Sequence, residues 1–280
     1  MSNSIAHPTD FSPEGLAAFE HALCLALVNR CPLDLLHVHG HDDGNDWDRF
    51  PHVRKTLQRW GVLKPGASTE DVFETTGVAV RKVEISHSEA GDGLARFLRD
   101  HRPGLIVMAS HRRAGFNRWL NGSVSTGVAR VTDVPTLIFG PLARPFVDSL
   151  TGRLRLETIL VPVDYDPAPQ PAVLLLKSFV EGLDVALDFL HVGPDVPALL
   201  DSQREPLSVR RIDGPVIETL LDQARQASMI AMPMAGRHGL LDTIRGSTTE
   251  RVVRDVTCPV LALPAVAQPG AVGASARAVA

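Results

Sequence analysis

Apolar residues along the chain gather in two patterns. Short unbroken runs such as Leu105-Ile106-Val107-Met108 show no apolar–polar alternation, which suits strands of a parallel sheet covered on both faces by helices. Longer stretches carry apolar residues at helical spacing, densely from Leu16 to Leu27 and on one face at Val53, Leu57, Trp60 and Leu63. In order, these patterns predict strands over residues 4–8, 34–39, 78–85, 105–109 and 135–139. The helices between them start at Ser12-Pro13, near Val53, at Gly93 and at Ser123. The Arg81-Lys82 pair suggests that the third strand lies near a sheet edge. Five strands alternating with four helices fold, by the right-handed crossover rule, as a doubly wound parallel sheet.

The pattern then repeats. Residues 105–139 read as an apolar run, a polar loop rich in His and Arg, a Gly-Ser step, a helical stretch, a Pro and a second apolar run, and residues 229–263 read the same way. Gly122-Ser123 recurs as Gly246-Ser247 and Pro135 as Pro259, both at a spacing of 124 residues, so a whole domain is duplicated. The first domain is expected over 1–145. Residues 142–155, with Pro145, Gly152 and no periodicity, read as a linker. The second domain is expected over 154–265, with strands at 158–162, 185–192 and 207–212 and helices at 171–180 and 216–226. Between Gly193 and Pro206 it has only a short segment where the first domain has a long crossover. Residues 266–280, mostly Ala, Val, Gly and Pro, are expected to be a disordered tail.

The repeated unit carries the candidate chemistry. Ser123 and Ser247 are placed to cap a helix, and Ser247-Thr248-Thr249-Glu250 fits a capping box. Strand, loop and helix N-terminus in that order make an anion site, because unpaired backbone N–H groups and the positive end of the helix point beyond the carboxyl end of the sheet. Ser123, Ser125, Ser247, Thr248 and Thr249 serve as helix caps or as phosphate contacts on this reading, and the two roles use the same geometry.

At these residues the chain resembles the universal stress protein family in its tandem, two-domain form, over nearly all its length except the last fifteen or so residues. The resemblance implies an adenine nucleotide alpha hydrolase-like fold and a binding site for ATP or AMP, with Mg²⁺ accompanying ATP. It places the base and ribose near Thr9 and Asp10 of Pro8-Thr9-Asp10-Phe11-Ser12, a phrase that Val163 and Asp164 repeat. Either Asp also serves as a turn residue bonding its own backbone. The ATP-binding members carry Gly, two residues, Gly, nine residues, then Gly-Ser or Gly-Thr. Here the first copy has Ala109, Arg112 and Gly122-Ser123, and the second has Pro233, Gly236 and Gly246-Ser247, so neither is intact. Arg112 gives up a glycine's backbone freedom but offers a guanidinium to phosphate, while Pro233 removes an N–H donor. His111, Val124 and Ser125 in the first copy, and Arg237, Thr248 and Thr249 in the second, complete the candidate set. The resemblance further implies that the last strands, 135–139 and 259–263, pair with each other inside one chain as a pseudo-dimer, leaving a monomer or a homodimer of such chains.

Composition narrows the choice of function. With 280 residues, 44% hydrophobic and 21% charged, the chain suits two soluble domains. A net charge of −4 gives no reason to expect nucleic acid. No apolar run spans a bilayer and no signal segment opens the chain, so a cytoplasmic protein is expected. Cys24, Cys31 and Cys258 read as buried thiols of a reducing compartment. His37, His39 and His41 share one face of an extended strand, but no further ligands complete a metal shell and none is assigned. Neither a nucleophile elbow nor a Walker loop is present, and no catalytic residue is named. Three functions are therefore carried forward. The chain is a regulatory adenine-nucleotide binder without turnover acting on an unidentified protein partner, a scaffold that has lost the nucleotide, or a weak nucleotide hydrolase.

Overall fold

The computed structural model describes residues 4–13, 15–40, 47–110, 128–129, 132–234 and 248–264. Ten strands form one continuous sheet in the order β3-β2-β1-β4-β5-β10-β9-β6-β7-β8. The first half contributes β1 (Ile5–Pro8), β2 (Leu33–His39), β3 (Val80–Ser86), β4 (Leu105–Ala109) and β5 (Thr136–Phe139). The second contributes β6 (Thr158–Pro162), β7 (Ala186–Val192), β8 (Arg210–Ile212), β9 (Met229–Met234) and β10 (Val260–Pro264). All pairings within each half are parallel, and β3 lies at an edge as the Arg81-Lys82 pair suggested. The halves meet where β10 runs antiparallel to β5, with Val260 opposite Ile138 and Ala262 opposite Thr136. The tandem doubly wound fold and the internal pseudo-dimer are thus both present.

The helices are α1 (Gly15–Asn29), α2 (Val53–Arg59), α3 (Glu70–Thr76) and α4 (Ala90–His101) in the first half. The second half has α5 (Gln170–Phe179), α6 (Val216–Gln223) and α7 (Thr248–Asp255). Core packing differs between the two faces of the sheet. On one face a single apolar cluster runs through both halves, from Leu23, Leu35 and Leu57 across Leu137 and Leu261 to Val161 and Leu176. On the other face there are two clusters, one within the first half around Leu36, Leu98 and Ile106, and one around Leu190, Val252 and Ile230 that also takes in Ala129 and Ile138 from across the seam. A continuous core on one side of a hydrogen-bonded seam leaves the halves no independent hydrophobic interior there.

Close approach seals the seam. A Cβ on Gly140, just past β5, would lie 2.1 Å from the Val253 carbonyl oxygen of α7, so only glycine fits. Arg144 donates to the Thr257 carbonyl through its backbone N–H at 2.8 Å and its Nε at 3.2 Å, and to the Arg225 carbonyl through Nη2 at 2.6 Å. A cation placed on carbonyls just past the ends of α7 and α6 complements the negative ends of those helices.

The segment expected to be a linker is instead part of the first half. His21 of α1 donates from Nδ1 to the Ala17 carbonyl and accepts at Nε2 from the backbone N–H groups of Phe146 and Val147, both at 2.9 Å. Trp60 Nε1 donates to the Ser149 carbonyl at 3.0 Å, and Val147 pairs with Leu154 in a small antiparallel turn. Gly152, at φ 69°, lies so close to the Trp60 ring that a Cβ would approach it to 2.5 Å. The docking depends on contacts distant in sequence, so local periodicity carried no sign of it.

The long crossover also differs from expectation. It holds two short helices, α2 and α3, rather than one, because Gly61, Pro65 and Gly66 break the run and Ser68 with Asp71 starts a new turn: the Ser68 N–H donates to Asp71 and the Asp71 N–H to the Ser68 hydroxyl. In the second half, register shows how much is missing. Leu36 and Leu190 occupy equivalent rungs, an offset of 154 residues, whereas Ile85 and Ile212 are offset by 127.

All three cysteines are buried and free, and burial pushes the Cys24 and Cys258 thiols up to about 12 and Cys31 to about 11. Among the described residues no helix is long and apolar enough to cross a membrane. The expected tail lies outside the described residues.

Candidate functional site

In each half the strand order reverses once, between β1 and β4 and between β6 and β9. These are the switch points where open α/β sheets bind ligands. Strands β1 and β4 pair only at Ile5–Leu105 and Ala6–Ile106, then part, although β1 stays paired with β2 to Pro8 and β4 with β5 to Ala109. The second half does the same, with β6 and β9 pairing only at Ile159–Met229 and Leu160–Ile230. Each half therefore has a crevice opening at the carboxyl end of its sheet.

Thr9 and Asp10 follow β1 at the first crevice, and Ala109, half-buried, ends β4 across from them. Val163 and Asp164 follow β6 at the second. Their backbones are held identically. The Thr9 N–H donates to the Leu36 carbonyl at 2.8 Å, and the Thr9 carbonyl meets His37 Nδ1 at 2.8 Å. The Val163 N–H donates to the Leu190 carbonyl at 2.9 Å, and the Val163 carbonyl meets His191 Nδ1 at 2.9 Å. Both hydrogen-bonding groups of the residue preceding each aspartate are thus tied to the neighbouring strand, which fixes where the carboxylate projects.

Both aspartates are exposed and both shape their own turn. Asp10 Oδ1 accepts from the Ser12 N–H at 3.0 Å and from the Ser12 hydroxyl, while the Ser12 carbonyl accepts from the N–H of Gly15, the first residue of α1. Asp164 Oδ1 accepts from the Tyr165 N–H at 2.8 Å. A carboxylate has about four acceptor positions, so the single turn bond of Asp164 does not exhaust its capacity. Thr248 and Thr249 open α7, the first exposed and the second buried. His111, Arg112, Gly122, Ser123, Val124 and Ser125, and likewise Gly236, Arg237, Gly246 and Ser247, lie outside the described residues.

Two further residues belong to the site, His37 and His191, whose carbonyl-holding role the sequence alone does not reveal; the pattern of His37, His39 and His41 points only to a metal. Their equivalence is legible, since Leu36-His37-Val38 recurs as Leu190-His191-Val192. Nδ1 of His37 and of His39 are both engaged by carbonyls, Thr9 and Gly40 respectively, and among the described residues no group of three metal-ligating side chains comes together.

The crevices differ in lining. His7, on β1, bridges the parting strands through Nδ1 to the Val107 carbonyl at 2.8 Å, and burial drives its pKa down to about 4, so it is neutral with Nε2 unpartnered. Val161 holds the equivalent place. Phe11, at φ 62°, stacks on His37 with ring centroids 3.9 Å apart and carries the Arg49 guanidinium 4.7 Å above it. Its counterpart Tyr165 is 59% exposed and meets His191 edge-on at 6.3 Å.

The family model described as "Universal stress protein family" matches residues 1–140 and 199–264. The chain belongs to the universal stress protein family. A universal stress protein from Archaeoglobus fulgidus has a similar structure, with a TM-score of 0.62 over 95% of this chain and 100% of its own at 22% identity. A Pseudomonas aeruginosa protein assigned to the same family aligns with a TM-score of 0.59 over 94% of this chain and 93% of its own at 16% identity. A universal stress protein in complex with cAMP aligns over 49% of this chain and 97% of its own, at 16% identity and a TM-score of 0.33. The comparison with curated proteins found no match. Likeness at these identities shows the fold of this universal stress protein, and the tandem arrangement accords with a family match in two segments.

Proposed function

We propose that this universal stress protein is a regulatory adenine-nucleotide binder, taking ATP (with Mg²⁺) or AMP in its switch-point crevices without turning it over. The observation carrying this reading is the doubled crevice. In each half the strands part after two residue pairs, and an exposed aspartate stands at the mouth on a backbone locked by a strand-end histidine. On this reading Asp10 and Asp164 accept ribose hydroxyls, Ala109 lines the base, and the loops leading to Ser123 and Ser247 hold the phosphates. Binding would stabilise one arrangement of the crevice loops and so alter the surface offered to a protein partner. The second half is the better candidate for the base, since the exposed Tyr165 ring is available to stack on it where Phe11 is already packed between His37 and Arg49.

Isothermal titration of about 100 μM protein with Mg²⁺-ATP and with AMP tests the reading, and heat saturating with a Kd below about 1 mM is expected. Asp164→Ala should weaken binding about tenfold, the loss of charge-assisted hydrogen bonds to a hydroxyl pair. No heat with either nucleotide would leave the scaffold reading, and phosphate release that disappears in a Gly122→Arg/Gly246→Arg double variant would favour hydrolysis.

A further inference from the structure

The crossover α2–α3, which the second half lacks, forms a groove of about 660 Å³ with the edge strand β3. That volume is in the range that holds a small organic ligand. The groove lies on the flank of the sheet, away from both switch points. Its floor is apolar and aromatic: Val53, Val72 and Val80 line it with the rings of Trp47 and Phe73, which are 44% and 58% exposed. Rings of that size left to water on one wall of a concave surface are not the scattered apolar residues of an ordinary surface.

Charge singles out the occupant. Four basic side chains, His52, Arg54, Lys55 and Lys82, line the groove together with Thr69, and among the described residues no Asp or Glu lines it, in a chain that carries 32 acidic residues and a net charge of −4. Glu70, next to Thr69 in the chain, has its carboxyl held below the usual range chiefly by its own backbone N–H and by the Ser68 hydroxyl, with Arg54 a lesser contributor. Lys82 is held in place, its Nζ donating to the Trp47 carbonyl at 2.9 Å and lying 5.4 Å from the centre of the Phe50 ring. An ammonium fixed by one carbonyl keeps donors to spare for an anion.

We propose that this groove binds a small amphipathic carboxylate, with an aromatic or medium-length acyl body against Trp47, Val80 and Phe73 and the carboxylate among Lys55, Lys82 and His52. The body's burial supplies affinity and the cations supply selection for the acid over its neutral analogue. This site would give the first half an input separate from the nucleotide crevices, and it stands whether or not those crevices bind ATP.

The test uses naphthalene-2-carboxylate and naphthalene-2-carboxamide, titrated calorimetrically into the full chain at low salt, with and without saturating Mg²⁺-ATP. The acid should bind one to one at low millimolar or better, about tenfold tighter than the amide, as expected for two or three partly exposed charge contacts. Lys55→Glu/Lys82→Glu should abolish that preference while leaving amide binding and melting temperature near the unmodified values. If Lys82→Glu disturbs the Trp47 contact and lowers the melting temperature, Lys55→Glu alone should still reduce the preference several-fold. Phe73→Ser should weaken acid and amide alike. Equal affinity for the two probes, no binding of the acid at about 5 mM, or displacement of the acid by ATP would overturn the proposal.

Discussion

The two halves of this chain share a switch point and differ in almost everything packed around it. Thr9 and Val163 are held by the same two hydrogen bonds, to Leu36 and His37 in one half and to Leu190 and His191 in the other. Around that frame the first half has added a two-helix crossover, a docked segment over 146–156, and buried histidines at 7 and 21 where the second half has Val161 and Leu175. Duplication has thus kept the backbone geometry that shapes a crevice and released the covering layers to diverge. The shared feature is the carboxyl end of the sheet, and the divergent ones are the flank and the helical face.

Breaking the seam between the halves should have the largest effect. Gly140→Val would drive a side chain into the Val253 carbonyl and should cost about 3 kcal/mol, since backbone on both sides must move. A denaturant melt should show one cooperative transition shifted to lower denaturant. Two separate transitions in the unmodified protein would instead mean that the continuous core does not couple the halves.

Replacing His21 by the residue its counterpart carries, His21→Leu, should cost about 2 kcal/mol, because the N–H groups of Phe146 and Val147 lose their shared acceptor inside the protein. The counterpart Leu175 has no acceptor atom in its side chain, so Leu175→Ala removes no hydrogen bond and paired melts should separate the two.

Acid should produce part of the same loss without any substitution. Burial holds His7 and His21 at about 4, below the ordinary 6.5. The unfolded chain therefore takes up protons from about pH 6.5 downward while the folded one does so only near pH 4, so their stability contribution is whole above 6.5 and is lost as pH falls through that interval. Glu20, raised by burial beside Arg59, opposes the trend. Melting temperatures between pH 7 and 4.5 should fall, and His7→Val, which copies Val161, should flatten the decline. A fall unchanged in both His7→Val and His21→Leu would place the acid sensitivity elsewhere.

The smallest contrast concerns the sheet edges. Asp34 grips Arg81 with two bonds of 2.7 and 2.8 Å and is almost wholly buried, whereas Asp188 grips Arg210 at 3.2 and 2.6 Å with its side chain one-third exposed. Asp34→Asn should cost about 2 kcal/mol and Asp188→Asn under about 1, since both arginines face water but the side chain at 34 is buried and must keep its bonds inside the protein, whereas the one at 188 can turn to solvent. Equal costs would show that burial does not set the difference.

Much of this fold was legible because its signals are local. Unbroken apolar runs marked the central strands, the basic pair marked the edge, and the 124-residue spacing exposed the duplication, while the pairing of the two last strands was implied by the family resemblance. The contacts that escaped are those between distant residues. Nothing near Phe146 announces that its N–H will meet His21, and although Pro65-Gly66 marks a break in residues 47–73, the second helix after it is not evident until the Ser68–Asp71 exchange is seen. At the site, the aspartates were legible from the repeated phrase, but the carbonyl-holding role of His37 and His191 needed the register of β2 and β7 against β1 and β6. The groove beside β3 joins three segments and had no sequence signature at all.

The most direct test of nucleotide binding is a crystal structure of the protein grown with Mg²⁺-ATP. The account predicts adenine density in at least one crevice, between the parted ends of β6 and β9 with the ribose against Asp164, or at the matching place beside Asp10. Well-ordered crystals with both crevices holding only solvent at saturating ATP, or nucleotide bound away from either switch point, would contradict it.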